Sequence, residues 1–226
     1  MTPIRIGITG GIGSGKSVVA HVLQSLGIPV FDCDAESKRL TAVHPIIRQQ
    51  LIDLVGHEVY TNNSPSDASE IGGSGSSPSK LEGLSQSDGG VCNFQLNKQL
   101  LARYLFASAE HVQQINAIIH PVLKDYLKQW VSEQSSELVA IESAILFEAG
   151  YDDVVDTVIM VSAPVEVRIA RSMQRDGATR SAVEERIRQQ MDDEEKRCRS
   201  QFVIANDGET PVIPQVLEII NTLSQK

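Results

Sequence analysis

The chain has 226 residues with 41% hydrophobic and 22% charged side chains, a size and composition ordinary for a globular domain with a full hydrophobic core. The formal net charge of -9 argues against a protein that binds nucleic acid over a broad surface. No apolar run reaches the ~18 residues of a membrane span, and the N-terminus lacks an apolar targeting segment. The three cysteines are far apart and are expected to be reduced thiols. These features predict a single cytoplasmic domain without membrane or nucleic-acid partners.

The N-terminal stretch predicts a strand, a glycine loop and a helix in succession. Apolar side chains alternate over residues 4–8, residues 10–17 read GGIGSGKS, and apolar side chains then recur at helical spacing. The loop fits G-x-x-x-x-G-K-[ST], in which backbone N–H groups and a helix N-terminus surround phosphate oxygens. Lys16 would reach the β- and γ-phosphates, and the Ser17 hydroxyl would bind Mg²⁺. The predicted contacts with a nucleoside triphosphate are Gly11, Ile12, Gly13, Ser14, Gly15, Lys16 and Ser17.

That loop has a simpler interpretation, a glycine-rich turn that only joins a strand to a helix. Such a turn does not explain Lys16 and Ser17 in succession. The pattern therefore favours a nucleotide site.

A second short strand is predicted from Val30, ending in Asp32, Cys33 and Asp34. Side chains two apart on a strand point the same way, so both carboxylates would lie at the carboxyl end of the strand, where parallel sheets bind ligands. One carboxylate could accept a proton from an attacking hydroxyl, and the other could hold Mg²⁺ through water. The alternative is that Asp32 or Asp34 only caps a helix predicted at residues 35–40. The neighbouring phosphate loop favours the functional interpretation.

The middle of the chain predicts helices on either side of a polar segment. Residues 35–60 carry a helical pattern broken at His44-Pro45 and Gly56, and residues 61–90 have the composition of a mobile surface loop. A regulatory or partner-binding role for that loop is the alternative. Helical spacing returns at residues 94–106 and again at 110–130, interrupted at His120-Pro121. His120 is equally open to two interpretations, a substrate contact and a packed core residue.

A buried strand is predicted at residues 138–141, followed at once by Glu142. An acidic side chain at the end of a core strand beside a phosphate loop can hold the Mg²⁺ shell through water. A solvated carboxylate at the strand end is the alternative.

Further strands are predicted at residues 157–161 and 202–204, and a closing helix at 212–223. Apolar strands separated by helices predict a parallel sheet with helices on both faces.

Residues 165–191 predict a helix, a turn at Asp176-Gly177 and a second helix, rich in arginine. Arginine suits a bidentate contact with phosphate, and such a hairpin could close over a transferring phosphoryl group. Arg175 and Arg180 are the predicted phosphate contacts. The alternative is an exposed helix pair joined by salt bridges between glutamate and arginine.

Taken together, these residues resemble the dephospho-CoA kinases, a branch of the nucleoside-monophosphate-kinase-like P-loop fold. The resemblance rests on TGGIGSGKS at 9–17, LGIPVFDCD at 26–34, INAIIHP at 115–121, ILFEAG at 145–150, RSMQRDGATRSAVEERIRQQ at 171–190 and VIANDG at 203–208. It covers nearly the whole chain except residues 61–90. Two departures are Glu142, where the family usually has aspartate, and Asn97-Lys98 in place of an Asp-Arg pair.

The resemblance implies a three-layer α/β fold with a parallel sheet, and transfer of the ATP γ-phosphate to the 3′-hydroxyl of the dephospho-CoA ribose, the last step of CoA synthesis. It implies a nucleotide-binding core at residues 1–34 and 134–226, a helical acceptor-binding region at 35–133 and a lid at 164–191. The enzyme would act on these two small molecules as a monomer or weak homo-oligomer, with Mg²⁺ as cofactor. The implied site residues are Asp34 as base and acceptor contact, His120 as acceptor contact, Lys16, Ser17, Arg175 and Arg180 around the phosphates, and Asn206, Asp207 and Gly208 near the adenine.

Three other functions compete with this interpretation. A kinase for another small molecule could use the same scaffold. A nucleotide-dependent switch is a second possibility, but Asn97-Lys98 is followed by Gln99-Leu100 and so does not form the guanine-reading motif [NT]KxD. A scaffold without catalysis is the third, and the presence of Lys16, Ser17 and Asp34 argues against it.

Overall fold

The computed structural model describes residues 2–62 and 94–225, without the side chains of Asn62 and Phe106. Its first half contains β1 (Ile4–Thr9), α1 (Lys16–Ser25), β2 (Val30–Asp32), α2 (Cys33–Val43), α3 (Pro45–Val55), β3 (Tyr60–Asn62), β4 (Phe94–Leu96) and α4 (Lys98–Ala107). Its second half contains α5 (Ala109–Ser132), β5 (Leu138–Glu142), β6 (Thr157–Ser162), α6 (Val165–Asp176), α7 (Arg180–Arg188), α8 (Asp193–Arg199), β7 (Phe202–Ala205) and α9 (Val212–Ser224).

Five of these strands form a parallel sheet in the order β2-β5-β1-β6-β7. The register pairs Ile8 of β1 with Glu142 of β5, and Glu142 with Asp32 of β2. Parallel strands align their carboxyl ends, so the phosphate loop after β1 lies beside both acidic strand ends. The predicted parallel α/β sheet with flanking helices is confirmed.

The core of the sheet is aliphatic because its central strands are covered on both faces. Ile6 and Ile8 of β1 are fully buried, as is Val161 of β6. They pack with Leu23 of α1 and Val216 of α9 in one cluster of buried side chains. The apolar faces of α1 and α9 lie side by side, which anchors the helix that follows the phosphate loop.

Several predicted boundaries of strands, helices and loops are wrong. The second strand ends at Asp32 rather than Asp34, because α2 begins at Cys33. Residues 94–96 form β4, paired with β3, and not the start of a helix. The predicted loop at 61–90 therefore begins two residues too early, and its part from residue 63 onward lies outside the described residues.

The long helix α5 is continuous through Pro121 and not interrupted there. Pro121 is exposed, whereas Ile119, Leu123 and Leu127 are buried at a spacing of four. Burial of that apolar stripe outweighs the hydrogen bond that the proline cannot donate.

Helix α8 has no apolar stripe and was not predicted. Its buried residue is Lys196, whose ammonium donates to the Ala144 carbonyl at 2.9 Å and pairs with Glu148 at 2.9 Å. The Asp192 side chain accepts from the Glu194 N–H and caps the helix. Helix α8 is therefore attached to the protein through a buried lysine, which is paired with the more exposed Glu148, and not through an apolar stripe.

The chain divides into two compact units, residues 1–40 with 119–226, and residues 41–118. Their boundaries fall inside α2 and α5, whereas the predicted regions meet at residues 34 and 133. In the second unit, Asn97 caps α4 by accepting from the Leu100 N–H at 3.1 Å. Among the described residues, no helix is long and apolar enough to cross a membrane.

Candidate active site

The phosphate loop joins β1 to α1 in a conformation that depends on glycine. Gly15 precedes the first residue of α1 with φ of 94°, in the left-handed region that other residues rarely adopt. A Cβ atom there would lie 2.0 Å from the amide nitrogen of the Asn206 side chain. That amide donates to the Ser14 carbonyl at 2.8 Å. Asn206 therefore holds the loop from the far end of the chain.

Lys16 lies at the start of α1 and is only 9% exposed. Its ammonium donates to the carbonyl oxygens of Gly10 at 3.1 Å and Gly11 at 3.4 Å. Burial lowers the pKa of Lys16 to about 8, while the nearby carboxylates of Asp34 and Glu142 act in the opposite direction. A cation with so little hydration is strongly stabilised by an incoming phosphate.

A cavity of about 770 Å³ opens beside this loop. Its size falls within the range of small-molecule sites. Cations and carboxylates line it together, which suits a phosphate with a bound metal ion. The lining residues are Gly13, Gly15, Lys16, Ser17, Asp32, Asp34, Ala35, Lys38, Glu142, Arg171, Gln174 and Arg175.

The three carboxylates of this cavity have different roles in the fold. Asp32 accepts from the Ala35 N–H at 2.9 Å and caps α2, so the capping alternative holds for Asp32. Asp34 lies in the first turn of α2 with solvent access, yet the surrounding protein atoms raise its pKa, with Lys16 opposing them. Burial, and then the charge of Asp32, raise the pKa of Glu142 to about 7. Asp34 is the carboxylate free to face a substrate.

Oxygen donors that suit Mg²⁺ are present at this site. The Ser17 hydroxyl and the carboxylates of Asp34 and Glu142 line one cavity, and these are the hard ligands that Mg²⁺ prefers. Within residues 2–62 and 94–225, no three His, Cys, Asp or Glu side chains are grouped closely enough to hold a metal unaided. Mg²⁺ usually keeps several waters and shares substrate phosphates, so the donors fit an ion that arrives with a nucleotide.

The two predicted lid arginines lie in different places. Arg175, near the end of α6, lines the cavity and pairs with the neighbouring Asp176 at 2.7 Å. Arg180, at the start of α7, does not line the cavity and pairs instead with Glu166 at 2.6 Å and Glu184 at 2.7 Å. The salt-bridged alternative therefore describes Arg180, whereas Arg175 is both paired with Asp176 and part of the cavity wall, and its phosphate contact stays a prediction.

Residues 206–208, the turn predicted to lie near the adenine, contact the phosphate loop through Asn206. Asn206 supports the phosphate loop through Ser14. Asp207 accepts from the N–H groups of Glu209 at 2.9 Å and Thr210 at 2.7 Å, so its carboxylate closes its own turn. Gly208 follows with φ of 98°. Neither Asp207 nor Gly208 lines the 770 Å³ cavity.

Arg168 was not identified as a functional residue from the sequence. It is 2% exposed, donates to the Ile12 carbonyl at 3.0 Å and pairs with Asp193. The Ile12 N–H is bound in turn by the Gln190 side chain at 2.8 Å. These contacts tie the phosphate loop to α6 and to the segment after α7. The only local signal was an arginine-rich helix, which cannot show which arginine is buried.

His120 and Tyr151 line a smaller cavity that also includes Asp34. Their rings meet edge to face with centroids 5.8 Å apart. Burial lowers the pKa of His120, which keeps the ring neutral near pH 7. His120 therefore lines one cavity with Asp34, and its contact with the acceptor stays a prediction.

Another cavity, of about 570 Å³, lies near the start of β1 and includes Thr2, Arg5 and Val131. It is at the amino ends of the strands, whereas parallel sheets bind ligands at the carboxyl ends. We therefore place the candidate active site at the phosphate loop.

A phosphate loop after the central strand of a parallel sheet, facing acidic ends on neighbouring strands, defines the class of P-loop kinases. A family model of dephospho-CoA kinases matches residues 4–65 and 88–211. The chain is 47% identical to a dephospho-CoA kinase of Bacteroides fragilis, covering 99% of this chain and 94% of that protein. It is 38% identical to one from Porphyromonas gingivalis, covering 99% and 96%. The chain belongs to the dephospho-CoA kinase family.

Two solved structures share the fold of this chain. The crystal structure of TT1252 from Thermus thermophilus matches with a TM-score of 0.75 at 32% identity, covering 99% of this chain and 98% of that one. A dephospho-CoA kinase from Campylobacter jejuni shares the fold, with a TM-score of 0.60 at 18% identity, covering 98% and 97%.

Proposed function

We propose that this enzyme transfers the γ-phosphate of ATP to the 3′-hydroxyl of the dephospho-CoA ribose, giving CoA and ADP. Membership of the family supports this reaction, which is the last step of CoA biosynthesis. The observation that carries the proposal is one cavity that contains Lys16, Ser17 and Asp34. Phosphate, metal and nucleophile can therefore meet at one place.

Asp34 is the proposed base. Its carboxylate accepts the proton of the acceptor hydroxyl while that oxygen attacks the γ-phosphorus and the bond to the β–γ bridging oxygen breaks. The departing oxygen leaves as part of ADP. The raised pKa of Asp34 makes it a better proton acceptor than an ordinary aspartate.

The cations of the cavity neutralise charge on the phosphates during transfer. Lys16 contacts the β- and γ-phosphates when it leaves the carbonyl oxygens of the loop, and Arg175 approaches from α6. Ser17 and Glu142 would hold Mg²⁺, Glu142 through water, and the ion would supply further charge neutralisation between the phosphates. Helices α6 and α7 form the proposed lid over these groups.

The test measures ADP release from ATP and Mg²⁺ with dephospho-CoA, adenosine, AMP or no acceptor, with mass spectrometry of the products. ADP formed only with dephospho-CoA, together with new CoA, is the expected result. Turnover with another acceptor would assign a different kinase, and ATP binding without any turnover would favour a switch or scaffold. Omitting Mg²⁺ should abolish product formation.

We also propose that the enzyme acts in the cytoplasm as a monomer or weak homo-oligomer with small-molecule partners only. The free thiols of Cys33 and Cys198 support a reducing compartment. Cell fractionation and light scattering during size-exclusion chromatography test these two statements. A stable large assembly would contradict the second.

A further inference from the structure

A cavity of about 220 Å³ shares Asp34 and Lys38 with the larger cavity at the phosphate loop. Sites that hold a whole drug-sized ligand usually measure about 300 to 1,000 Å³. The smaller cavity therefore suits one portion of a ligand whose reacting group lies at Asp34. Its remaining wall includes His120, Leu123 and Tyr151.

The Tyr151 hydroxyl in this wall has no hydrogen-bond partner among the residues that the structure describes, although its oxygen is buried. The residue as a whole is 1% exposed. A buried hydroxyl without a partner carries a desolvation cost, which a ligand would remove by accepting its hydrogen bond. Burial raises the pKa of Tyr151, and nearby Cys33 and Asp34 raise it further, so the hydroxyl remains a donor near neutral pH.

The cavity combines flat rings with apolar groups and a single lysine among its described lining residues. The His120 ring lies edge-on to Tyr151, Leu123 is buried, and Lys38 stands one helical turn after Asp34. Aromatic and apolar walls with a few fixed polar groups suit a nucleoside. Lys38 suits a phosphate attached to it.

We propose that this smaller cavity holds the nucleoside portion of the acceptor, with the Tyr151 hydroxyl donating a hydrogen bond to it. The inference rests on the proposed function. An acceptor hydroxyl at Asp34 is covalently joined to its own ribose and base. That portion must occupy space next to Asp34 that the ATP phosphates do not use, and the smaller cavity supplies it.

The test compares Tyr151→Phe with the wild type at saturating ATP. The variant should raise the KM for dephospho-CoA about 3- to 10-fold, the effect of one lost neutral hydrogen bond. The KM for ATP should stay within about twofold. 3′-Deoxyadenosine, which lacks the reacting hydroxyl, should inhibit competitively against dephospho-CoA, and its inhibition constant should rise by the same factor as that KM. Tyr126→Phe is the matched control, because Tyr126 is 38% exposed and lies outside this cavity.

A structural role for the hydroxyl predicts a different result. Since Tyr151 has no hydrogen-bond partner among residues 2–62 and 94–225, its removal should leave the melting temperature unchanged or raise it. A lower melting temperature would indicate a structural bond and overturn the inference. An unchanged KM for dephospho-CoA in a stable variant would overturn it as well. Loss of dephospho-CoA turnover in the wild type would instead refute the proposed function.

Discussion

The Asp34 carboxylate combines solvent access with a raised pKa. It lies in the first turn of α2, where it lines both the phosphate-loop cavity and the smaller cavity. Asp32 is occupied as a helix cap, and Glu142 is partly buried whereas Asp34 is exposed. The neighbouring carboxylates therefore differ in their availability to a substrate, and this difference can be tested one residue at a time.

Replacement of Asp34 by asparagine should lower kcat by about 100-fold or more, because general base catalysis typically contributes that much. The dissociation constant for ATP should change far less, since the amide keeps the size of the side chain. Steady-state kinetics and equilibrium binding measure the two effects. Asp125→Asn, at an exposed position of α5, is the matched control. Equal losses of turnover and ATP affinity would contradict a role as base.

Glu142 gives a pH dependence of stability with a definite sign. Burial raises its pKa from 4.5 to about 7, so between these values the folded state keeps a proton that the unfolded state releases. The contribution of Glu142 to stability therefore falls as pH rises from about 4.5 to 7. The Glu142→Gln variant has no carboxyl group at this position, so this contribution to the pH dependence of stability is absent from it.

The melting temperature of Glu142→Gln, relative to wild type, should consequently rise between pH 5 and pH 7.5 when measured without ligands. Glu137→Gln, exposed just before the same strand, is the control and should show no comparable trend. A constant difference between Glu142→Gln and wild type across this range would show that Glu142 is ionised throughout.

At the scale of elements, α6 brings charged side chains to the site from two turns of one helix. Arg168 is buried against the phosphate loop, and Arg175 lines the cavity beside Asp34. The same helix therefore supports the loop and supplies a cation for the phosphates. The following helix, α7, begins with Arg180 in surface salt bridges.

Arg175→Ala should lower kcat by about 1,000-fold, the lower end of the range found when an arginine stabilises a transferring phosphoryl group. Its melting temperature should change little, because the side chain is 63% exposed and its ion pair is with the adjacent residue. Arg188→Ala removes another exposed arginine of the same hairpin and is the control. Full activity of Arg175→Ala would remove this residue from the site.

Arg168→Ala should reduce the free energy of unfolding by about 3 kcal/mol, because it removes a large buried side chain and leaves Asp193 and the Ile12 carbonyl without their partner. Denaturant unfolding measures the loss. Gly11 supplies a second test, since a Cβ there would lie 1.9 Å from the Arg168 guanidinium.

Gly11→Ala should therefore cost stability in the wild type and much less in Arg168→Ala. The double-mutant cycle isolates the contact between the two residues. Additive losses of stability would show that a Cβ atom at position 11 does not clash with the Arg168 side chain.

For the whole molecule, nucleotide binding should stabilise the fold, because the loop contacts β1, α6 and the turn at Asn206. ATP with Mg²⁺ at 100 times its dissociation constant should add about 2.7 kcal/mol. Lys16→Ala should lose most of this gain, measured as the shift in melting temperature, together with turnover. The exposed Lys128→Ala is the control. A normal shift in Lys16→Ala would refute the predicted phosphate contact.

Much of this molecule was predictable because its signals are local. The phosphate loop, the apolar strands and the two helices of the hairpin depend on spacing over a few residues. Asp34 and Arg175 line the cavity beside the loop, and Asp34 lies on a helix rather than on the predicted strand. Helix α8 and the continuity of α5 were missed, because distant packing overrides their local patterns.

The sequence by itself determined the strand, phosphate loop and helix of the nucleotide site, and with them the kind of chemistry, because glycine geometry and residue spacing act over short stretches of chain. The tertiary structure alone decided that Arg168 is buried, that Arg180 lies in surface salt bridges and that the Tyr151 hydroxyl lacks a partner among the described residues. Burial and pairing arise between residues far apart in the chain, so local patterns do not contain them.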